Sequence, residues 1–539
     1  MPRLAPETAT IEELSRLLAA EATSAAALVA HYRARIEAYD WDGPAINAVR
    51  ELNPDAPTIA ARLDTQISEP RRPLAGIPVL VKDNIATADR QHTTAGSLAL
   101  AGARAHRDAT LVRLLREAGA VILGKANLTE FANILAIDMP SGYSSLGGQV
   151  KNPYAPEIDQ RGLPIVSPGG SSSGSAAAVA AGFAPVAIGT ETSGSLLSPA
   201  AQCGLVTVKP TVGLVSRAGI IPIAHSQDTA GPMTRSVADA AIMLNVLAQP
   251  DPLDPATQGL QRPADYTAFL DTEGLKGARI GVPSDPADPG NDVYYGPLPP
   301  RAAAVMARAI EALADLGATI VRANMPTAGW IGGPGTELTV LNRNRYSRSF
   351  LRPVHRPIVF LYELKYGLDR YLRDWASETE ITSLADIVAF NEAHAEQALR
   401  FGQDLFLAAA ATRGDLSEPE YTAARQSDLR SSRSLGLDAY FERHQLDAVL
   451  FPGAAGAAIA AKAGYPSVAV PAGFIGGDDT PEYPVTVTFT GRAWGEAVLL
   501  RFAFAFEQAV RFRHPPPGLP PLDLAHQPCG ALAVGARHE

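Results

Sequence analysis

Apolar and polar positions along this chain follow two patterns, one helical and one of short buried strands. Thr10-Ile11-Glu12-Glu13 is a capping box that opens a first helix. Ser24 caps a second, on which Leu28, Tyr32 and Ile36 share a face. Both read as packing helices. Beyond Arg72 the pattern changes: Leu74–Val81 is short, apolar and bounded by Pro73 and Lys82, which predicts a buried strand. Two later segments repeat one helix–glycine–strand order. Leu111–Ala118 is helical, Gly119 ends it and Ala120–Leu123 follows; Arg301–Leu316, Gly317 and Ala318–Val321 do the same. Arg279–Val282 and Ala448–Phe451 add further short apolar strands. Helices alternating with such strands predict an α/β fold, with a central twisted mixed and largely parallel sheet covered by helices on both faces.

Between about 250 and 445 the glycine-rich texture gives way to longer helical patterns, such as Leu361–Arg373 and Ile381–Ala411. This stretch is expected to be a helical insertion forming one wall of a cleft, the alternative being a separately folding domain. The run Pro515-Pro516-Pro517-Gly518-Leu519-Pro520-Pro521 cannot continue a helix. The expected organisation is therefore one domain over 8–515 and a C-terminal tail over 516–539. No internal repeat of fixed period is present.

Composition narrows the function classes. A net charge of −10 leaves no basic stripe for nucleic acid. Two cysteines, Cys203 and Cys529, make no disulfide framework and fit a reducing compartment; Cys203 is expected to be an inert buried thiol. The first residues carry no apolar signal region, and the apolar stretches Ala176–Ile188 and Ala448–Ala461 fall short of the roughly 20 residues of a membrane span. The expectation is a soluble cytoplasmic protein, with no membrane partner.

The most informative segment is Ser167-Pro168-Gly169-Gly170-Ser171-Ser172-Ser173-Gly174-Ser175, which runs into the small apolar residues Ala176–Ala181. Glycines let a ligand approach the backbone, clustered serines supply hydroxyls, and the alanines predict a buried helix. A flexible linker would not be flanked by core segments. A phosphate loop would close on Gly-Lys-Ser/Thr, which is missing here. Gly170-Ser171-Ser172-Ser173-Gly174 also matches the nucleophile elbow Gly-x-Ser-x-Gly, centred on Ser172. That elbow needs an apolar strand before it, and Val166-Ser167-Pro168-Gly169 is poor strand material. It also needs a histidine, and His225, His355, His394, His444 and His514 have no distinguishing context in the sequence.

A second serine segment, Ala187-Ile188-Gly189-Thr190-Glu191-Thr192-Ser193-Gly194-Ser195, continues through Ser198-Pro199-Ala200-Ala201, Cys203-Gly204-Leu205 and Lys209-Pro210-Thr211. Together with the Gly/Ser loop it resembles the signature of the amidase signature family. Gly76-Ile77-Pro78-Val79-Leu80-Val81-Lys82-Asp83-Asn84 resembles the strand carrying the family lysine. Gly124–Asn127, Asn152–Tyr154, Asp228–Met233, Ala463–Ser467 and Gly491–Trp494 extend the likeness over roughly residues 8 to 515. Glu191-Thr192 and Lys209–Arg217 look most similar to bacterial peptide amidases, which remove C-terminal amides. The resemblance implies Ser195 as nucleophile, Ser171 as a bridging serine after a cis peptide bond, and Lys82 as general base. It also implies an oxyanion hole at the backbone N–H groups of Thr192, Ser193, Gly194 and Ser195, with Ser172 supporting the site.

The chemistry suits those residues. A serine hydroxyl is a weak nucleophile until a base takes its proton. Lysine titrates at about 10.4 when free, and burial lowers that value; Lys82 directly follows the apolar run Ile77–Val81. The implied cycle is acylation of the serine, release of ammonia or amine, and hydrolysis, needing no metal or cofactor. Side activity on esters, anilides or carbamates fits the same acyl-serine chemistry. Ser193 stands where many members have Gly and the peptide amidases Asp, and Leu197 replaces a common arginine. Two rivals remain open: a glutaminase subunit of a tRNA-dependent amidotransferase, and a non-catalytic amide-binding member. The expected state is a monomer or homodimer acting on a small-molecule or peptide amide.

Overall fold

A computed structural model of the chain describes residues 5–66, 72–327, 338–341, 351–354, 358–477 and 480–522. Thr10 caps the Ile11–Ala19 helix with the full capping box, and Ser24 caps Ala25–Ile36 by accepting from the Ala27 N–H. Leu28, Tyr32 and Ile36 are buried together on the second helix.

Eleven strands form one sheet. They are β1 Val49–Leu52, β2 Pro78–Lys82, β3 Val121–Ala126, β4 Val186–Glu191, β5 Val206–Lys209 and β6 Thr229–Thr234. Then come β7 Arg279–Val282, β8 Thr319–Arg322, β9 Ala448–Pro452, β10 Ser467–Gly477 and β11 Thr480–Thr490. Their spatial order is β1-β3-β2-β4-β6-β5-β10-β11-β9-β7-β8. Every residue of β2, β3, β4 and β6 is buried, as strands covered on both faces must be.

The expected mixed α/β sheet is present. Its parallel pairings lie on two flanks, β3-β2-β4 and β9-β7-β8. The pairings between these flanks, β4-β6-β5-β10-β11-β9, are antiparallel, and β1 joins the outer edge antiparallel to β3. The helix–glycine–strand segments belong to the parallel flanks: Thr110–Glu117 leads into β3 and Pro300–Asp315 into β8. Gly119 and Gly317 close those helices, each at φ +90°. Apart from the β10–β11 hairpin, where Gly477 lies opposite Thr480, the antiparallel centre depends on pairings between strands separated along the chain, for which no local pattern exists.

Two boundaries differ from the sequence reading. The strand expected from Leu74 begins at Pro78, because Leu74–Gly76 turn instead and pair with the end of the helix before β3: the Leu74 N–H donates to Ala118 O and the Gly76 N–H to Gly119 O. The stretch 250–445 is not helical throughout, since β7 and β8 lie inside it and complete the sheet. Beyond β8 its helices run from Ile358–Asp374 to Asp438–His444. At the other end, part of the proline-rich tail is docked: Leu519 is buried, and Arg35 donates to Pro520 O at 2.9 Å. Residues 523–539 of that tail lie outside the described residues.

Candidate active site

Strands β2 and β4 run parallel, Val79 opposite Val186 and Val81 opposite Ile188. Their C-terminal ends, Lys82 and Thr190–Glu191, therefore meet at one edge of the sheet, where open α/β folds place their sites. The Gly/Ser loop reaches the same edge because it leads into the Ser173–Ala180 helix, which is buried along its whole length. The Ser175 hydroxyl ties that helix to β4 by donating to Ile188 O at 3.1 Å.

Lys82 is fully buried. Its Nζ lies 2.8 Å from Ser171 Oγ, 2.9 Å from Thr190 Oγ1 and 3.4 Å from Thr190 O. Asn84 Nδ2 donates to the same Thr190 Oγ1 at 3.0 Å. Burial pushes the amine down to about 7, while the negative charges of Asp228 and Glu191 oppose the fall. A neutral amine has two N–H groups and one lone pair. The two Thr190 oxygens accept the N–H groups, which leaves the lone pair for the Ser171 hydroxyl.

The peptide bond before Ser171 is cis. Ser172 is spent on joining the loop to β4: its hydroxyl donates to Thr190 O at 3.0 Å and accepts from Thr190 N at 3.1 Å, and its N–H donates to Ser195 O at 3.2 Å. That last bond sets the Ser195 turn beside the Gly/Ser loop. The segment before Ser172 is bend and coil rather than strand, so the elbow geometry is missing. His225 lines the cavity described below; His394, His444 and His514 do not, and His355 lies outside the described residues.

The turn after β4 carries the other sequence-named residues. Gly194 sits at φ +88° and Ser195 is nearly buried. Among the described residues, the N–H groups of Ser193, Gly194 and Ser195 donate to no protein acceptor. Two carboxylates hold the turn from below. Glu191 Oε2 accepts from the N–H groups of Leu196 at 2.7 Å and Leu197 at 3.0 Å. Asp228 Oδ1 accepts from the Thr192 hydroxyl at 2.5 Å, and its Oδ2 from the N–H groups of Ile223 and Ala224. Burial pushes the Asp228 carboxyl up to about 6. Leu197, at the common arginine position, packs with Ala457 and Ala469 in a small apolar cluster. Cys203 is buried and free, and burial pushes its thiol upward.

Sequence reasoning did not assign Thr190, Asn84, Glu191 or Asp228 a place in the site. All four lie in the quoted stretches; the Asn84–Thr190 and Thr192–Asp228 contacts join the ends of β2, β4 and β6, so spacing could not connect them, whereas Glu191 bonds within its own turn to Leu196 and Leu197.

Beside the turn opens a cavity of about 310 Å3. Its lining includes Asn84, Thr190, Thr192, Ile220–Ile223, Tyr366, Arg370 and Trp375. From the stretch expected to be a helical insertion, the Ile358–Asp374 helix and Trp375 beyond it line this cavity. Among the described residues, no helix is long and apolar enough to cross a membrane.

The model of the family described as Amidase matches residues 27–329. A probable amidase of Arabidopsis thaliana is 37% identical over 519 residues, covering 95% of this chain and 91% of the relative. The chain belongs to the amidase family. Among solved structures, this amidase is similar to the native peptide amidase of Stenotrophomonas maltophilia, with 44% identity, a TM-score of 0.81 and coverage of 94% and 98% of the two chains. Its similarity to a glutamyl-tRNA(Gln) amidotransferase component of Thermotoga maritima is lower, 26% identity and a TM-score of 0.65 over 96% and 99%. The amidase is a hydrolase of amide C–N bonds.

Proposed function

We propose that this amidase hydrolyses the C-terminal carboxamide of peptides to the free carboxylate and ammonia, with Ser195 as nucleophile, Ser171 as proton relay and Lys82 as general base. The observation that carries the reading is the buried Lys82 amine, lowered to about 7 and 2.8 Å from the Ser171 hydroxyl. In the first step Lys82 takes the Ser171 proton while Ser171 takes that of Ser195, and Ser195 Oγ bonds to the carboxamide carbon. The negative charge on the carbonyl oxygen is received by the free N–H groups of the 193–195 turn, each such donor being worth about 3 kcal/mol. The proton then returns through Ser171 to the leaving nitrogen, the C–N bond breaks and ammonia departs. Water, activated by the same route, hydrolyses the acyl-serine.

The likeness to a peptide amidase at 44% identity supports the peptide substrate, and a cavity of about 310 Å3 opens beside the turn. The amidotransferase reading has weaker support from the fold comparison. A cytoplasmic site of action fits the free buried thiol. The test is a fluorophosphonate label followed by peptide mapping. The label is expected on Ser195, and labelling of Ser172 or of no serine overturns the assignment. Ammonia release from a peptide amide, outpacing that from free glutamine, separates the two substrate readings.

A further inference from the structure

His225 has no role in the proton relay, yet it lines the cavity with about half of its side chain exposed. It is held from several sides. Its ring Nδ1 faces Glu363 Oε2 at 3.4 Å, its carbonyl accepts from Arg217 Nη1, and the next residue's N–H, Ser226, donates to Glu363 Oε2 at 2.9 Å. Glu363 is itself buried on the Ile358–Asp374 helix and takes the Tyr421 hydroxyl at 2.8 Å. A carboxylate opposite Nδ1 favours the proton on that nitrogen, which leaves Nε2 as an acceptor on the far side of the ring. Among the described residues Nε2 has no hydrogen-bond partner.

The charged groups around the ring are Glu363, Arg217, Arg425 and Asp254, with the Tyr366 ring 6.0 Å away. Burial and the two arginines lower the imidazole's affinity for a second proton, and Glu363 and Asp254 oppose them. Arg217 is itself neutralised by Asp254 in a two-pronged pair, Nε–Oδ2 2.7 Å and Nη2–Oδ1 2.5 Å. The ring therefore offers an acceptor in a cavity wall that also carries Ile220–Ile223, Tyr366 and the charged side chains of Arg370 and Asp374.

We propose that His225 Nε2 accepts a backbone N–H of the substrate, so that the enzyme selects amides bearing an acylamino N–H next to the carboxamide residue over amides without one. The inference rests on the peptide-amide reading above and adds the group that recognises the peptide. Three probes separate the parts: N-acetylphenylalaninamide, its N-methyl analogue lacking the N–H, and 3-phenylpropanamide. In the wild-type enzyme the first should have the highest kcat/KM. In His225→Ala the ratio of kcat/KM for the N–H substrate over the N-methyl analogue should fall about five- to tenfold, the size of one neutral hydrogen bond, and the loss should lie in KM. His225→Gln, whose side-chain carbonyl is again an acceptor, should keep most of the ratio. A ratio unchanged in His225→Ala, or lost equally in His225→Gln, overturns the role of His225. A wild-type enzyme that hydrolyses only 3-phenylpropanamide overturns the peptide-amide reading itself, and with it this inference.

Discussion

In the proposed mechanism Lys82 is the general base, and its burial has two measurable consequences. The folded chain holds the amine at about 7 against 10.5 in the unfolded chain. Turnover limited by chemistry should therefore rise as pH passes through about 7 and level off above it. A rate flat from about pH 6 to about pH 9 overturns the base assignment. Lys82→Ala should lower kcat/KM at least about a hundredfold. Stability moves in a definite direction as well. Between the two values the unfolded chain binds more protons than the folded one, so stability rises with pH across that window. Lys82→Met removes the buried charge, so urea denaturation should find the variant more stable than wild type at pH 6, with the advantage shrinking toward pH 10. The sequence made Lys82 legible through the apolar run before it and the family likeness, whereas the Thr190 oxygens that receive its N–H groups come from a strand more than a hundred residues away.

At the scale of elements, the site depends on how closely the Ser173–Ala180 helix sits against the sheet. Gly174 is the contact point. Its N–H donates to Asn127 O at 3.0 Å, and a Cβ there would lie 2.3 Å from Ala48 O and 2.4 Å from Asn127 O. Gly174→Ala must push the helix away from β3 or from the chain before β1. The expected cost is about 1–3 kcal/mol, read as a lower urea midpoint, with reduced kcat because Ser171 and Ser172 precede the same helix. The alanine run predicted this buried helix correctly. The position of its glycine, against two carbonyls from other segments, was invisible because close approach leaves no periodic trace. The helix–glycine–strand units were readable for a related reason: each is a local structure with its stop signal in the adjacent residue. The antiparallel centre of the sheet was not, since β4 pairs with β6 through contacts some forty residues apart.

On the scale of the whole molecule, N-terminal helix, site-bearing helix and tail are joined at one buried arginine. Arg35 donates to Ala181 O at 2.9 Å and Gly182 O at 3.2 Å, just past the Ser173–Ala180 helix, and to Pro520 O at 2.9 Å. Arg35→Ala leaves those carbonyls without their donor in a buried place. A loss of about 3 kcal/mol is expected, seen as a lower denaturation midpoint, while kcat/KM at about 25 °C stays near wild type. A midpoint unchanged by the substitution shows that the tail and the first helices are held by other contacts. Arg35 lies beside the apolar face of Leu28, Tyr32 and Ile36, and nothing in that helical pattern marks a charged residue as buried.

By itself the sequence determined the class of fold and the family, and it named the side chains proposed for the chemistry, because these are written in local order: caps, glycine stops, apolar runs and the spacing of serines around glycines. Only the tertiary structure decided how those pieces become a site. It brought the ends of β2 and β4 to one edge, buried Lys82 between them, set Asp228 and Glu191 under the Ser195 turn, and placed His225 in the wall of the cavity. Except for the bonds of Glu191 to Leu196 and Leu197, these are contacts between segments far apart in the chain. Such contacts follow from how sheet and helices pack in three dimensions, which no stretch of sequence encodes locally.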